Sequence, residues 1–179
     1  MRKSLYILGQ LSDQDIEWLV AKGSKLQVSP GTTLIAENET IEALYIVLNG
    51  SFSVSTEAVG EIARLGSGEI VGEMSFVDTR PPSASVTAID QSIVLAVPQL
   101  QLTERLESDL GFSSRFHRAL AIFLSYRLRD TVSQLGYGVT TSVDEDAFDP
   151  DELDENVLDN VHVAGATFDR ILKKIMSHG

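Results

Sequence analysis

Between residues 26 and 98, short segments typical of β-strands follow one another with turn residues between them. Pro30-Gly31 and Asn49-Gly50 are strong turn signals, and Gly60 falls in a predicted hairpin. Most of these strands are joined without an intervening helix, which is typical of a sandwich, a jelly roll or a barrel. We therefore predict a mainly β domain with strands at residues 26–28, 33–36, 43–48, 51–55, 62–65, 70–71, 84–89 and 92–97.

Helices are predicted on both sides of this β region. Ser12 can cap a helix and Asp15 lies three residues later, which is the spacing of a capping box. Pro98 suits the first turn of a later helix, and the segment 112–135 carries the longest helical pattern. Such a pattern packs either on the β domain or against a second copy of the chain, and its length favours a dimer. The predicted dimer stripe consists of Phe116, Leu120, Phe123, Leu124, Leu128, Val132 and Leu135.

The segment 68–86, GEIVGEMSFVDTRPPSASV, combines a strand, a short helix and a loop of small residues. The helix begins near Glu73, and free N–H groups at a helix start favour an anion. Residues 71–75 (VGEMS) and 81–86 (PPSASV) resemble the two halves of the phosphate-binding cassette of the cyclic-nucleotide-binding superfamily. This is the group of the catabolite activator and the regulatory subunit of protein kinase A. The resemblance covers about residues 8–137 and implies a jelly-roll-like β-roll with a long C-terminal helix.

The resemblance also implies a ligand and a set of binding residues. In the family, the cassette glutamate holds the ribose hydroxyl and an arginine pairs with the cyclic phosphate. Glu73 matches the glutamate, whereas Pro82 stands at the arginine position and offers neither a charge nor an N–H donor. Losing that contact, worth ~2–4 kcal/mol, predicts weak or altered binding of cAMP or cGMP. The predicted ligand-binding residues are Gly72, Glu73, Met74, Ser75, Arg80, Pro82, Ser83, Ala84, Ser85, Arg127 and Thr131.

The last segment of the chain differs from the rest in its charge. Residues 139–179 hold ten acidic and three basic residues, and the whole chain carries a net charge of −12. We predict a domain of residues 1–138 and a tail of residues 139–179 that contains an acidic linker and two helices. Many relatives carry a DNA-binding helix-turn-helix at this place, but this charge would repel phosphates, so nucleic-acid binding is not expected.

Several other kinds of site are not predicted. The absence of cysteine excludes disulfides and thiolate metal ligands. The acidic run from Asp144 lacks the glycine that an EF-hand needs at its sixth position, and the histidines have no metal-ligand spacing. No catalytic motif occurs, so we expect no enzyme. No apolar run is long enough to span a membrane and no signal peptide is recognised, so we expect a cytoplasmic location.

Together these patterns predict a regulatory signalling module of the cyclic-nucleotide-binding type with a degenerate cassette. We expect a homodimer that acts on an effector protein whose identity the sequence does not reveal. One alternative is a pseudo-sensor that contacts a protein and binds no nucleotide. A second alternative is a DNA-binding transcription regulator.

Overall fold

The computed structural model of the protein describes residues 10–134 and Lys173. Leu135, the segment before residue 10 and, apart from Lys173, the predicted tail helices therefore lie outside the described residues. The elements, in chain order, are α1 (Asp13–Lys22), β1 (Ser24–Val28), β2 (Thr33–Ile35), β3 (Ala43–Asn49), β4 (Phe52–Thr56), β5 (Gly60–Leu65), β6 (Ile70–Val71), α2 (Glu73–Asp78), β7 (Ser85–Ala88), β8 (Ser92–Pro98), α3 (Gln99–Ser108) and α4 (Leu110–Gln134). The predicted mainly β fold with flanking helices and a long C-terminal helix is confirmed.

The strands form two four-stranded antiparallel sheets, in the orders β1-β8-β3-β6 and β2-β7-β4-β5. The predicted hairpin at Gly60 joins β4 to β5, where Thr56 pairs with Gly60. The Asn49-Gly50 turn instead leads from the first sheet to the second. Gly50 has a φ of 96°, and a Cβ atom there would lie 2.1 Å from the Ser92 hydroxyl, so the crossover needs glycine.

The core has two layers because the first sheet is buried on both faces. One layer lies between the two sheets and includes Val47 and Phe52. The other lies between the first sheet and the helices, where Leu44 and Ile46 of β3 pack with Leu19 of α1. Alternate residues of β3 thus enter different layers, which explains why this strand is almost wholly apolar.

The apolar stripe of α4 belongs mainly to the core of its own chain. Phe116, Leu120 and Phe123 are 1, 2 and 5% exposed and pack in the helix-side layer. Burial within the chain itself leaves these three residues little surface for the predicted dimer seam, because the helix lies across the apolar face of the first sheet. Leu124 packs partly against the same core, whereas Leu128 and Val132 are the exposed ones among the described residues of the stripe.

An ion pair joins the first helix to the last. The capping box of Ser12 and Asp15 is confirmed, and Asp15 is almost fully buried. Its two oxygens also accept hydrogen bonds from Arg115 Nε and Nη2, at 2.7 and 2.9 Å. Burial acts to raise the pKa of Asp15, but the bonds from Arg115 and Ser12 outweigh it and hold the pKa below its ordinary value. The pair ties the beginning of α4 to α1.

Candidate functional site

A sharp turn before α2 places a carboxylate inside the domain. Gly72 caps the helix with a φ of 87°, and a Cβ atom there would lie 2.7 Å from Ile41 Cδ1. A residue other than glycine would therefore suffer both an unfavourable backbone angle and a close contact. The next residue, Glu73, is 2% exposed. The helix also contacts α4, because the Phe76 ring lies 6.0 Å from the Phe116 ring.

The buried carboxylate is paired with an arginine of α4. Arg127 Nη1 donates a hydrogen bond to Glu73 Oε1 and forms a salt bridge with it. The Arg127 side chain is 30% exposed, and its guanidinium lies 4.8 Å from the centre of the Phe123 ring. Burial raises the pKa of Glu73, and the charge of Arg127 offsets this only in part. The structure thus brings together two of the predicted site residues, 54 positions apart.

A cavity of about 350 Å³ opens beside this pair. Its walls come from α2, the loop that follows it, strands β2 and β4 to β7, and the second half of α4. Most of its lining is apolar. The lining residues are Ile35, Val54, Ile62, Ala63, Arg64, Leu65, Glu69, Val71, Gly72, Glu73, Met74, Ser75, Pro82, Ser83, Ala84, Val86, Phe123, Tyr126, Arg127 and Thr131.

The cassette loop supplies small residues to the cavity wall and no cation. Pro82 is buried, and its carbonyl accepts a hydrogen bond from the Asn38 N–H at 2.8 Å. Ser83 and Ala84 line the cavity beside it. Two other predicted residues, Arg80 and Ser85, are not part of the cavity lining. Arg80 is exposed. Ser85 points elsewhere, because its hydroxyl accepts a hydrogen bond from the Glu37 N–H at 3.0 Å.

Several lining residues carry charge or aromatic rings but were not predicted from the sequence. Arg64 of β5 lines the cavity, yet its side chain is 70% exposed and its Nε donates to Glu61 Oε1 at 2.8 Å. Glu69 Oε2 accepts a hydrogen bond from the Gly66 N–H at 2.6 Å. The aromatic ring of Tyr126 adds to the wall on α4. Glu69 lies within the segment 68–86, but no local motif marks Arg64 or Tyr126, because only the folding of β5 and α4 around the cassette brings them to it.

The described residues offer no metal centre. Within residues 10–134, no group of three histidine, aspartate or glutamate side chains is placed to hold an ion. Thr131 lines the cavity, but its hydroxyl donates to the Arg127 carbonyl at 2.8 Å, within its own helix. No helix in this part of the chain is long and apolar enough to cross a membrane.

Two antiparallel sheets, an internal cavity and a helix that closes over it define a β-roll domain with a pocket of ligand size. Residues 25–109 match the sequence model of the cyclic nucleotide-binding domain. Residues 25–109 are therefore a cyclic nucleotide-binding domain by this match, as the cassette predicted.

Individual proteins show the same likeness. The cAMP-dependent protein kinase regulatory subunit of Candida albicans is 30% identical over 92 residues, which are 51% of this chain and 20% of that protein. The chain thus spans about a fifth of the length of this curated relative. Among solved structures, a cyclic nucleotide-binding domain from Methylobacillus flagellatus superposes with a TM-score of 0.67 at 21% identity, covering 78% of this chain and 84% of that one. The Thermus thermophilus catabolite activator protein has a TM-score of 0.60 at 18% identity, covering 97% and 88%.

Proposed function

We propose that this protein is a non-catalytic, cytoplasmic regulatory module whose cyclic-nucleotide-type pocket binds cAMP and cGMP weakly or in an altered way. The family match and a cavity of about 350 Å³ support a small-molecule ligand in this place. The Candida relative is named a cAMP-dependent protein kinase regulatory subunit, which supports a regulatory role over a catalytic one.

The proposal is carried by Pro82 at the cassette position where the family has its arginine. The Asn38 N–H donates a hydrogen bond to the Pro82 carbonyl, and Arg80, two residues before Pro82, is not part of the cavity lining. A cyclic phosphate at this position would lose a charge-assisted hydrogen bond, which corresponds to roughly 30- to 1000-fold in affinity. The carboxylate expected to bind the ribose, Glu73, is retained.

The output of the module passes through α4. Phe123, Arg127 and Thr131 of this helix line the cavity, so an occupant contacts the helix directly. A ligand that fits one position of the helix better than another shifts the balance between them. The tail of residues 139–179 follows α4 and transmits this shift to an effector protein. A homodimer would use the part of α4 that remains exposed, at Leu128 and Val132.

Calorimetry with cAMP and cGMP tests this proposal on the wild type and Pro82→Arg. We expect the variant to bind at least one of the two nucleotides roughly 30- to 1000-fold more tightly than the wild type. Pro81→Arg is the matched control, because Pro81 is the exposed neighbour and does not line the cavity. Submicromolar binding by the wild type, with no gain in Pro82→Arg, would contradict the proposed loss of the phosphate contact.

The pseudo-sensor is a second candidate, favoured by the Glu73–Arg127 ion pair. Arg127 already occupies one oxygen of the carboxylate that a ribose would use, so the chain partly fills its own site. In that case neither the wild type nor Pro82→Arg gives heat with millimolar nucleotide. Co-purification with a protein partner that is lost in Leu128→Glu would then support the interaction role.

A further inference from the structure

We infer that the pocket recognises an uncharged nucleoside, a ring base on a sugar with adjacent hydroxyl groups and no phosphate. The inference rests on the proposed function, because it assigns the ligand class of the same pocket. Its basis is the way in which hydrogen-bond donors, acceptors and charges are arranged around the cavity.

The Glu73–Arg127 pair offers a donor and an acceptor side by side on the cavity wall. A carboxylate has about four lone-pair sites, and Arg127 uses one oxygen of Glu73. A guanidinium has five N–H donors, and one of them makes a hydrogen bond to the described residues. Two adjacent sugar hydroxyls match such a pair, because one donates to the carboxylate while the other accepts from the guanidinium.

The charges around the cavity disfavour an anion. The positive charge of Arg127 is balanced by Glu73, and that of Arg64 by Glu61. Glu69 adds a further acidic group to the lining. Among the described lining residues, both arginines therefore have carboxylate partners, and the side chain of Pro82 offers no charge. A phosphate would give up its water shell without gaining a new cation, whereas an uncharged ligand avoids this cost.

The rest of the wall suits a flat ring. Phe123 and Tyr126 of α4 face the cavity together with the apolar side chains of Met74 and Val86. Aromatic and apolar side chains bind a base through its faces and need no charge on it. A volume of about 350 Å³ lies at the small end of ligand pockets, which fits one base with one sugar.

Titration calorimetry on the full chain tests the inference, with adenosine, guanosine, cAMP and cGMP compared under the same conditions. We expect at least one nucleoside to bind as tightly as its cyclic nucleotide or more tightly. A pocket that reads the phosphate would instead favour the cyclic nucleotide by about 30-fold or more. Cyclic nucleotide binding more than tenfold tighter than nucleoside binding would overturn the inference, and so would the absence of heat from both nucleosides at millimolar concentration.

Deoxynucleosides test the contact with Glu73 without the risk that a variant fails to fold. Loss of a hydroxyl bound to a charged group should weaken binding by roughly 10- to 100-fold, so we expect 2′-deoxyadenosine or 3′-deoxyadenosine to bind that much more weakly than adenosine. Equal binding of all three would overturn the assigned recognition. A tenfold loss of cAMP affinity in Arg64→Gln would also count against it, because Arg64 would then be reading a phosphate.

The comparison keeps this inference separate from the proposed function. A gain of cAMP affinity in Pro82→Arg, together with no nucleoside binding, rejects the nucleoside and keeps the altered cassette. Nucleoside binding with no gain of cAMP affinity in Pro82→Arg keeps the nucleoside and rejects the altered cassette. If both statements hold, Pro82→Arg raises the affinity for cAMP by a larger factor than the affinity for adenosine.

Discussion

Replacing Arg127 by glutamine should destabilise the domain by leaving the Glu73 carboxylate buried without its cation. The glutamate is 2% exposed, and the guanidinium is the charged group bonded to it. Removing one member of a buried ion pair typically costs about 3–5 kcal/mol in the free energy of unfolding. Because Arg127 is itself 30% exposed, water can reach the vacated place in part. We therefore expect a loss of about 2–4 kcal/mol at neutral pH.

The loss should grow with pH, and the sign follows from the pKa of Glu73. Burial raises this pKa above its ordinary value of 4.5, with Arg127 as the main opposing influence. A carboxyl with a raised pKa in the folded state stabilises the fold fully below pH 4.5, and this contribution is lost as the pH rises through the folded-state pKa. Without Arg127 that pKa rises further, so the variant loses more stability relative to the wild type at pH 7 than at pH 4.5.

Urea denaturation at these two pH values measures the effect. Arg129→Gln is the matched control, because Arg129 is an exposed residue of the same helix and should change stability by less than about 0.5 kcal/mol. Adding Glu73→Gln to the Arg127 variant removes the buried charge and should recover much of the loss. If Arg127→Gln is as stable as Arg129→Gln at both pH values, the carboxylate does not depend on the pair and the reasoning is refuted.

Three further predictions concern the fold. Phe123→Ala should cost about 3–5 kcal/mol in urea denaturation, against less than about 0.5 kcal/mol for Leu128→Ala, because Phe123 is buried in its own chain and Leu128 is exposed. Equal losses of stability would contradict this division of the stripe. Gly72→Ala should cost about 1–3 kcal/mol, because of its φ of 87° and the contact with Ile41, and an unchanged melting temperature would exclude this strain. Asp15→Ala should cost about 2–4 kcal/mol at pH 7, and its difference from the wild type should shrink as the pH falls below 3.8, because the lowered pKa of Asp15 stabilises the fold above that pH; a difference that does not change with pH would refute this.

Much of the fold could be predicted because its signals are local. The capping box at Ser12 and the turn glycines each act within a few residues, and the helix and strand limits follow them closely. The short helix at Glu73 was predicted in the same way, from the spacing within the cassette. The surface against which an apolar stripe packs is not set by local signals. The pattern of α4 was read correctly as a helix, but the pattern does not say whether its apolar face meets a sheet or a partner.

The residues of the candidate site also divide into those that a local motif marks and those that only the fold places. Glu73, Pro82, Ser83 and Ala84 were found from a contiguous motif, and all four line the cavity. Ser85 belongs to the same motif but lies on the other face of β7, where successive side chains alternate. Arg64 comes from another strand, and no spacing rule connects it to the cassette.

The sequence by itself determined the β-roll, the carboxylate that enters its interior and the proline at the cassette position where the resemblance implies an arginine, because each depends on neighbouring residues. Only the tertiary structure decided that Arg127 pairs with that carboxylate and that the first half of the α4 stripe belongs to the core. The ion pair joins residues 54 positions apart, and the stripe joins α4 to the first sheet. Both contacts depend on where the helix crosses the roll. Local propensity carries no information about that crossing, because it is set by the packing of all the surrounding side chains at once.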